Sequence, residues 1–169
     1  MAPLGPDGKF QVMFICTGNL CRSPMAEGLL KQKLTGPLKK KVRVVSAGTE
    51  ALEGFPPTLR GLHAAAFFRV DLSHHRSQPV TPWLLKHSDL ILVMEIDHFD
   101  TIRRLDPEAA QRTHLLKEFG LPPDHSGGIL SVKDPISGDD AVYLKVYQEL
   151  DEETSRILPH IAQVVESVG

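Results

Sequence analysis

Cysteine is scarce: the 169 residues contain two, Cys16 and Cys21, both in one short stretch. A bond between them could not tie distant elements together, which excludes a disulfide-framed scaffold and suits a reducing compartment such as the cytoplasm. No apolar run approaches the roughly 20 residues that cross a bilayer. Residues 1–8 (Met-Ala-Pro-Leu-Gly-Pro-Asp-Gly) also lack the cationic start and apolar centre of a signal peptide, so no membrane association is expected. Charge of one sign is not in excess. Nineteen basic against 21 acidic residues leave a formal net charge of −2, with no global field to recruit nucleic acid or anionic lipid. The one basic run, Lys39-Lys40-Lys41, reads as a solvated turn ahead of a strand. The 8 histidines offer no ligand spacing with cysteine or carboxylate, and His74 and His75 point opposite ways if extended, so no metal site and no cofactor are expected. Internal repeats and low-complexity segments are missing as well.

What is present is an ordinary globular composition, 41% hydrophobic and 24% charged, in a length that suits one domain with a real core. Residues 1–8, with two prolines and two glycines, suggest a flexible tail, and 9–169 a single domain. Residues 9–15 are apolar and β-prone, and 24–34 read as a helix with Pro24 at its first position, stopped by Gly36-Pro37. A second strand over 42–47 completes a parallel crossover unit. Leu59, Leu62, Ala66 and Phe67 recur at helical spacing, which predicts a helix over about 57–68 with that face inward. A short helix near Trp83, a strand over 89–94, a helix near 97–105, an Asp106-Pro107 cap and a strand over 113–116 follow. A long loop over 120–138 leads to a final amphipathic helix, with a kink expected at Pro159. The pattern predicts a doubly wound α/β domain, four parallel strands with helices on both faces and ligands beyond the strands' carboxyl ends.

Between the first strand and first helix lies Cys16-Thr17-Gly18-Asn19-Leu20-Cys21-Arg22-Ser23. A tight loop over a helix start points backbone N–H groups inward and adds the positive end of the helix dipole, so residues 17–23 form an anion site before any side chain is counted. That field also favours a thiolate at Cys16. Arg22 can fold back and grip two phosphate oxygens with its planar fork, and Ser23 can donate to the sulfur and ease its later departure. If the sulfur displaces phosphate from a phenol, a carboxylic acid must protonate the leaving oxygen. Two Asp-Pro pairs compete: Asp106 is explained as a helix cap, whereas Asp134 lies in the long loop after the last strand.

The stretch Cys16-Thr17-Gly18-Asn19-Leu20-Cys21-Arg22-Ser23-Pro24-Met25-Ala26-Glu27 resembles the active-site loop of the low-molecular-weight protein tyrosine phosphatases. The likeness continues through Ser46-Ala47-Gly48-Thr49, Asp71-Leu72-Ser73-His74 and Asp134-Pro135, and covers nearly the whole chain from residue 9. It implies phosphotyrosine hydrolysis through a phosphocysteine, with Cys16 as nucleophile, Arg22 on the phosphate and Asp134 as general acid and base. It further implies loop support by Asn19 with Ser46 and His74, and a reversible disulfide in which Cys21 traps an oxidised Cys16. The walls of the substrate pocket would be Leu20, Leu52 and Ile136, where many eukaryotic-type relatives carry stacking aromatics. Leu52 is similar to a bacterial branch that works opposite tyrosine kinases, so the implied partner is a phosphorylated protein, a bacterial tyrosine kinase among them, and the chain a monomer or weak dimer. Protein arginine phosphatases share the loop and the style of Asp134-Pro135-Ile136-Ser137-Gly138, but carry threonine at the place of Leu20. Arsenate reductases of this fold need further cysteines, and none follows Cys21. A phosphate-binding module without turnover is the reading from another class, and it leaves a nucleophile and an acid unexplained. Tyr143 and Tyr147, on the final helix, are candidates for modification or for packing.

Overall fold

A computed structural model describes every residue except Met1, Ser126 and Ile129, so parts of the expected tail and of the 120–138 loop lie outside the described residues. β1 (Phe10–Cys16) leads into α1 (Arg22–Lys33) and the short α2 (Gly36–Lys41), and the chain returns through β2 (Val42–Gly48). α3 (Leu59–Ala66), α4 (Pro82–Lys86), β3 (Leu90–Val93), α5 (Ile96–Leu105), α6 (Pro107–Ala110), β4 (Thr113–Leu115) and α7 (Asp140–Val168) follow. The strands pair in parallel in the order β2-β1-β3-β4.

β1 shows why both sheet faces are covered. All seven of its residues are buried. Phe10, Val12, Phe14 and Cys16 share a core with Met25 and Leu29 of α1 and Tyr147 and Leu150 of α7. Met13 and Ile15, on the other face, pack with Leu84 and Leu85 of α4, Ile102 of α5 and Ala109 of α6. Leu90 and Leu92 join the first cluster while Ile91 and Val93 join the second, so apolar residues on both sides of each central strand enforce the doubly wound arrangement. β2 flanks β1 on one side and β3 on the other, which puts the end of β1 at the point where the strand order reverses.

Several local expectations are corrected. α1 begins at Arg22, so Pro24 is its third residue rather than its first, a position whose N–H would still lack an intrahelical acceptor. Gly36-Pro37 opens α2, and Lys39, Lys40 and Lys41 form its last turn, where cations suit the helix dipole. The expected inner face of α3 is largely outside: Leu59 and Phe67 are 73% and 76% exposed. Gly61, Ala64 and Ala65 are buried instead, because α3 lies so close to α7 that a Cβ on Gly61 would come within 2.7 Å of the Tyr147 hydroxyl. Ahead of β1 the chain is tied down, with the Leu4 N–H donating to both Asp89 carboxylate oxygens at 2.9 and 3.1 Å. The final helix forms as expected, α7 running as one element with Pro159 inside it. Asp106 caps α6, accepting from the N–H groups of Glu108 and Ala109 at 3.0 and 3.1 Å.

Candidate active site

The loop after β1 has its carbonyls drawn outward by donors from elsewhere in the chain. The Cys16 and Thr17 carbonyls accept from the N–H groups of Thr49 (3.0 Å) and Glu50 (2.9 Å), and that of Leu20 from Thr58 N–H (3.2 Å). Asn19 C=O lies 2.8 Å from His75 Nε2, and Cys21 C=O accepts from the Tyr147 hydroxyl at 3.1 Å. With the carbonyls held out, the N–H groups of residues 17–21 have no protein acceptor among the described residues. This is the concave cluster of amides that an anion requires. Gly48 permits the close approach of β2, since a Cβ there would lie 2.5 Å from the Thr17 carbonyl oxygen.

Asn19 turns the loop. It adopts φ +56°, a region asparagine tolerates better than most residues, and is fully buried. Its Nδ2 donates to Ser23 Oγ (2.8 Å) and Ser46 Oγ (2.9 Å), and its Oδ1 accepts from Gln78 N–H (3.0 Å). Ser46 Oγ in turn donates to Glu27 at 2.7 Å. Asn19 and Ser46 therefore meet as the resemblance implies, but His74 does not join them. Its Nδ1 contacts Ser73 Oγ at the exposed surface, and the adjacent His75 reaches the loop in its place. In a tandem pair only the course of the chain decides which ring turns inward.

Cys16 Sγ is buried, 2.9 Å from Ser23 Oγ. Arg22 is 1% exposed, and its fork is held on three sides. Nη1 donates to Glu95 Oε1 and to the Val132 carbonyl (2.9 Å), and Nη2 lies 3.4 Å from both Thr17 Oγ1 and Asp134 Oδ2. Arg22 Nε is buried and without a partner among the described residues, a donor that an anion could satisfy. Asp134, far from Arg22 in sequence, is brought to the same guanidinium; its Oδ1 accepts from Ile136 N–H at 3.1 Å and from the Cys21 thiol at 3.9 Å. Asp134 thus stands beside both loop thiol and arginine, while Asp106 stays with its cap.

Both cysteines are free. Burial pushes the Cys21 thiol up to about 12, with the neighbouring Cys16 and Asp134 adding to the effect. Burial likewise raises the Tyr147 phenol, whose hydroxyl is committed to the Cys21 carbonyl, and Tyr143, which bonds Thr58 Oγ1 at 3.0 Å, so packing accounts for both tyrosines. Leu52 and Ile136 are exposed, 70% and 55%. Leu20 is half-buried, and the Leu52 turn is anchored by its carbonyl to Ser77 Oγ.

Two residues that sequence reasoning missed complete the site. Glu95 follows the carboxyl end of β3 and pairs with Arg22. His98, in the first turn of α5, lies 2.8 Å from Thr17 Oγ1 through Nε2 and 3.1 Å from the Glu95 N–H through Nδ1. Burial, and next the Arg22 charge, lower the His98 imidazole to about 4. A carboxylate just past a central parallel strand is the one signal that could have pointed to Glu95. The described residues contain no cluster of three or more His, Cys, Asp or Glu able to hold a metal, and no helix long and apolar enough to cross a membrane.

Residues 11–167 match the model of the low molecular weight phosphotyrosine protein phosphatase family. Among curated proteins, a probable low molecular weight protein-tyrosine-phosphatase EpsP of Ralstonia nicotianae is 44% identical over 84 residues, 50% of this chain and 54% of that protein. The chain thus spans only about half the length of EpsP, 54%. The protein-arginine-phosphatase of Geobacillus stearothermophilus is 33% identical over 149 residues, 88% of this chain and 93% of that one. Among solved structures, YwlE arginine phosphatase from the same organism superposes with a TM-score of 0.81 at 29% identity, covering 95% of this chain and 97% of its own. The tyrosine phosphatase Wzb from Escherichia coli K30, in complex with sulphate, gives 0.74 at 31% identity over 94% and 98%.

Proposed function

Because the chain belongs to the low molecular weight phosphotyrosine protein phosphatase family, we propose that it hydrolyses phosphotyrosine in proteins through a phosphocysteine. The observation that carries this reading is the meeting of Cys16, Arg22 and Asp134 at one ring of inward amides. The Cys16 thiolate attacks phosphorus as the bond to the phenolic oxygen breaks, and the proton of Asp134 passes to that oxygen. Asp134, now ionised, takes a proton from the water that attacks the phosphocysteine. Cys16 leaves as thiolate, eased by Ser23 Oγ at 2.9 Å, and inorganic phosphate is released. Arg22 and the loop N–H groups carry the charge of the equatorial oxygens in both steps. Leu20, Leu52 and Ile136 offer apolar walls to the ring. The same reading makes the partner a phosphorylated protein, with a bacterial tyrosine kinase as one such substrate, and sets the enzyme in the cytoplasm, where Cys21 is positioned to capture an oxidised Cys16 as a disulfide.

Phosphate release from p-nitrophenyl phosphate by the wild type and its loss in Cys16→Ser test the chemistry and separate an enzyme from a binding module. Retained turnover in Cys16→Ser sinks the phosphocysteine. Phosphoarginine is the second reading, favoured by the 88% coverage of this chain by the Geobacillus arginine phosphatase match. Turnover of phosphotyrosine against phosphoarginine peptides, with Leu20→Thr alongside, decides between them: preference for phosphotyrosine in the wild type upholds the first.

A further inference from the structure

We propose that His98 is a positioning residue for Arg22, a neutral imidazole that clasps the phosphate loop with one ring nitrogen and the start of α5 with the other. The proposal rests on the phosphatase reading above. His98 is 4% exposed. The Glu95 N–H, 3.1 Å from Nδ1, can only donate, so Nδ1 carries a lone pair. In a neutral ring the proton is then on Nε2, and this N–H donates to Thr17 Oγ1 at 2.8 Å. The charged groups that act on the ring are Arg22, Glu95, Asp97 and Asp134.

These bonds close a ring around the guanidinium. Nη1 of Arg22 donates to the Glu95 carboxylate, the Glu95 N–H to His98, His98 to Thr17 Oγ1, and Thr17 Oγ1 also accepts from Arg22 Nη2 at 3.4 Å. Two of the four acceptors around the fork, Glu95 and Thr17, are therefore tied to one imidazole, while the buried Nε has no partner among the described residues. A planar fork serves a phosphoryl group only when its plane is correct, and small misplacements are expensive in rate. A helix cap needs Nδ1 alone. The second contact, to a loop residue 81 positions away, is not part of the α5 cap and points to the site.

Asparagine and glutamine separate the two jobs. Asn at 98 keeps an acceptor where Nδ1 lies but is too short for Thr17; Gln keeps a donor where Nε2 lies and loses the cap. In the full-length protein, kcat and KM for p-nitrophenyl phosphate, the Ki of inorganic phosphate and the urea midpoint are measured for wild type, His98→Asn, His98→Gln, Thr17→Val and the double variant His98→Asn/Thr17→Val. Thr17→Val and His98→Asn are each expected to lower kcat about tenfold and to weaken phosphate inhibition, with KM moved less than about threefold, and the double variant to be no slower than either. His98→Gln is expected to keep kcat within about threefold while its urea midpoint falls. Losses that multiply in the double variant, or a His98→Asn enzyme with wild-type kcat, overturn the proposal alone. A wild type without turnover overturns the phosphatase reading and this proposal with it.

Discussion

Asn19 stands buried at φ +56° with its amide divided among Ser23, Ser46 and Gln78. Alanine there removes three hydrogen bonds, strands buried partners, and places a Cβ-bearing residue without a local hydrogen bond in the left-handed region. Asn19→Ala is expected to cost about 3 kcal/mol in urea unfolding. Asp134 has a different role, and its loss shows in rate. Asp134→Ala is expected to lower kcat on a phosphotyrosine peptide by about 10²–10³-fold, and much less on p-nitrophenyl phosphate, whose leaving group needs little protonation. Equal losses on the two substrates count against the general-acid role. At this scale the grouping of Cys16, Arg22 and Asp134 was legible, because a thiol, a guanidinium and a carboxyl are the residue types that phosphoryl transfer would use. Glu95 and His98 were not, since each finds its partner 73 or 81 residues away and neither belongs to a motif.

α5 joins stability to the site. Its first turn is closed by reciprocal bonds between Glu95 and His98, and the same histidine reaches Thr17. An unfolded chain protonates this ring near 6.5, whereas burial, helped by Arg22, holds it neutral in the fold down to about 4. Between those values the unfolded state binds more protons, so the contribution of His98 is whole above pH 6.5 and fades as pH falls towards 4. Urea midpoints of the wild type should therefore drop over that window more steeply than those of His98→Asn, which has no proton to gain there. Parallel curves would show that another group governs the acid limb. α3 teaches the opposite lesson about legibility. Its apolar spacing is helical, yet the face that packs is Gly61, Ala64 and Ala65, because the distance to α7 selects small residues over large ones.

Across the whole molecule, the sheet places the anion site and the site's ligand should stabilise the sheet. Amides from the loop after β1, the guanidinium from α1 and acceptors beyond β3 meet only in the folded chain, so an anion bound there favours the folded state. Inorganic phosphate at about one hundred times its dissociation constant is expected to raise unfolding free energy by about 2.7 kcal/mol, and Arg22→Ala to abolish the gain. Thermal melts with and without phosphate check this; an unchanged Tm in the wild type argues against the site. Local pattern determined the parallel α/β fold and the phosphate loop, because strand runs buried on both faces and a loop over a helix start are properties of neighbours in sequence. Tertiary structure alone decided that His75 rather than His74 supports Asn19, and that Glu95 and His98 frame the guanidinium. These are choices between chemically equivalent side chains, and what separates them is the path of the folded backbone.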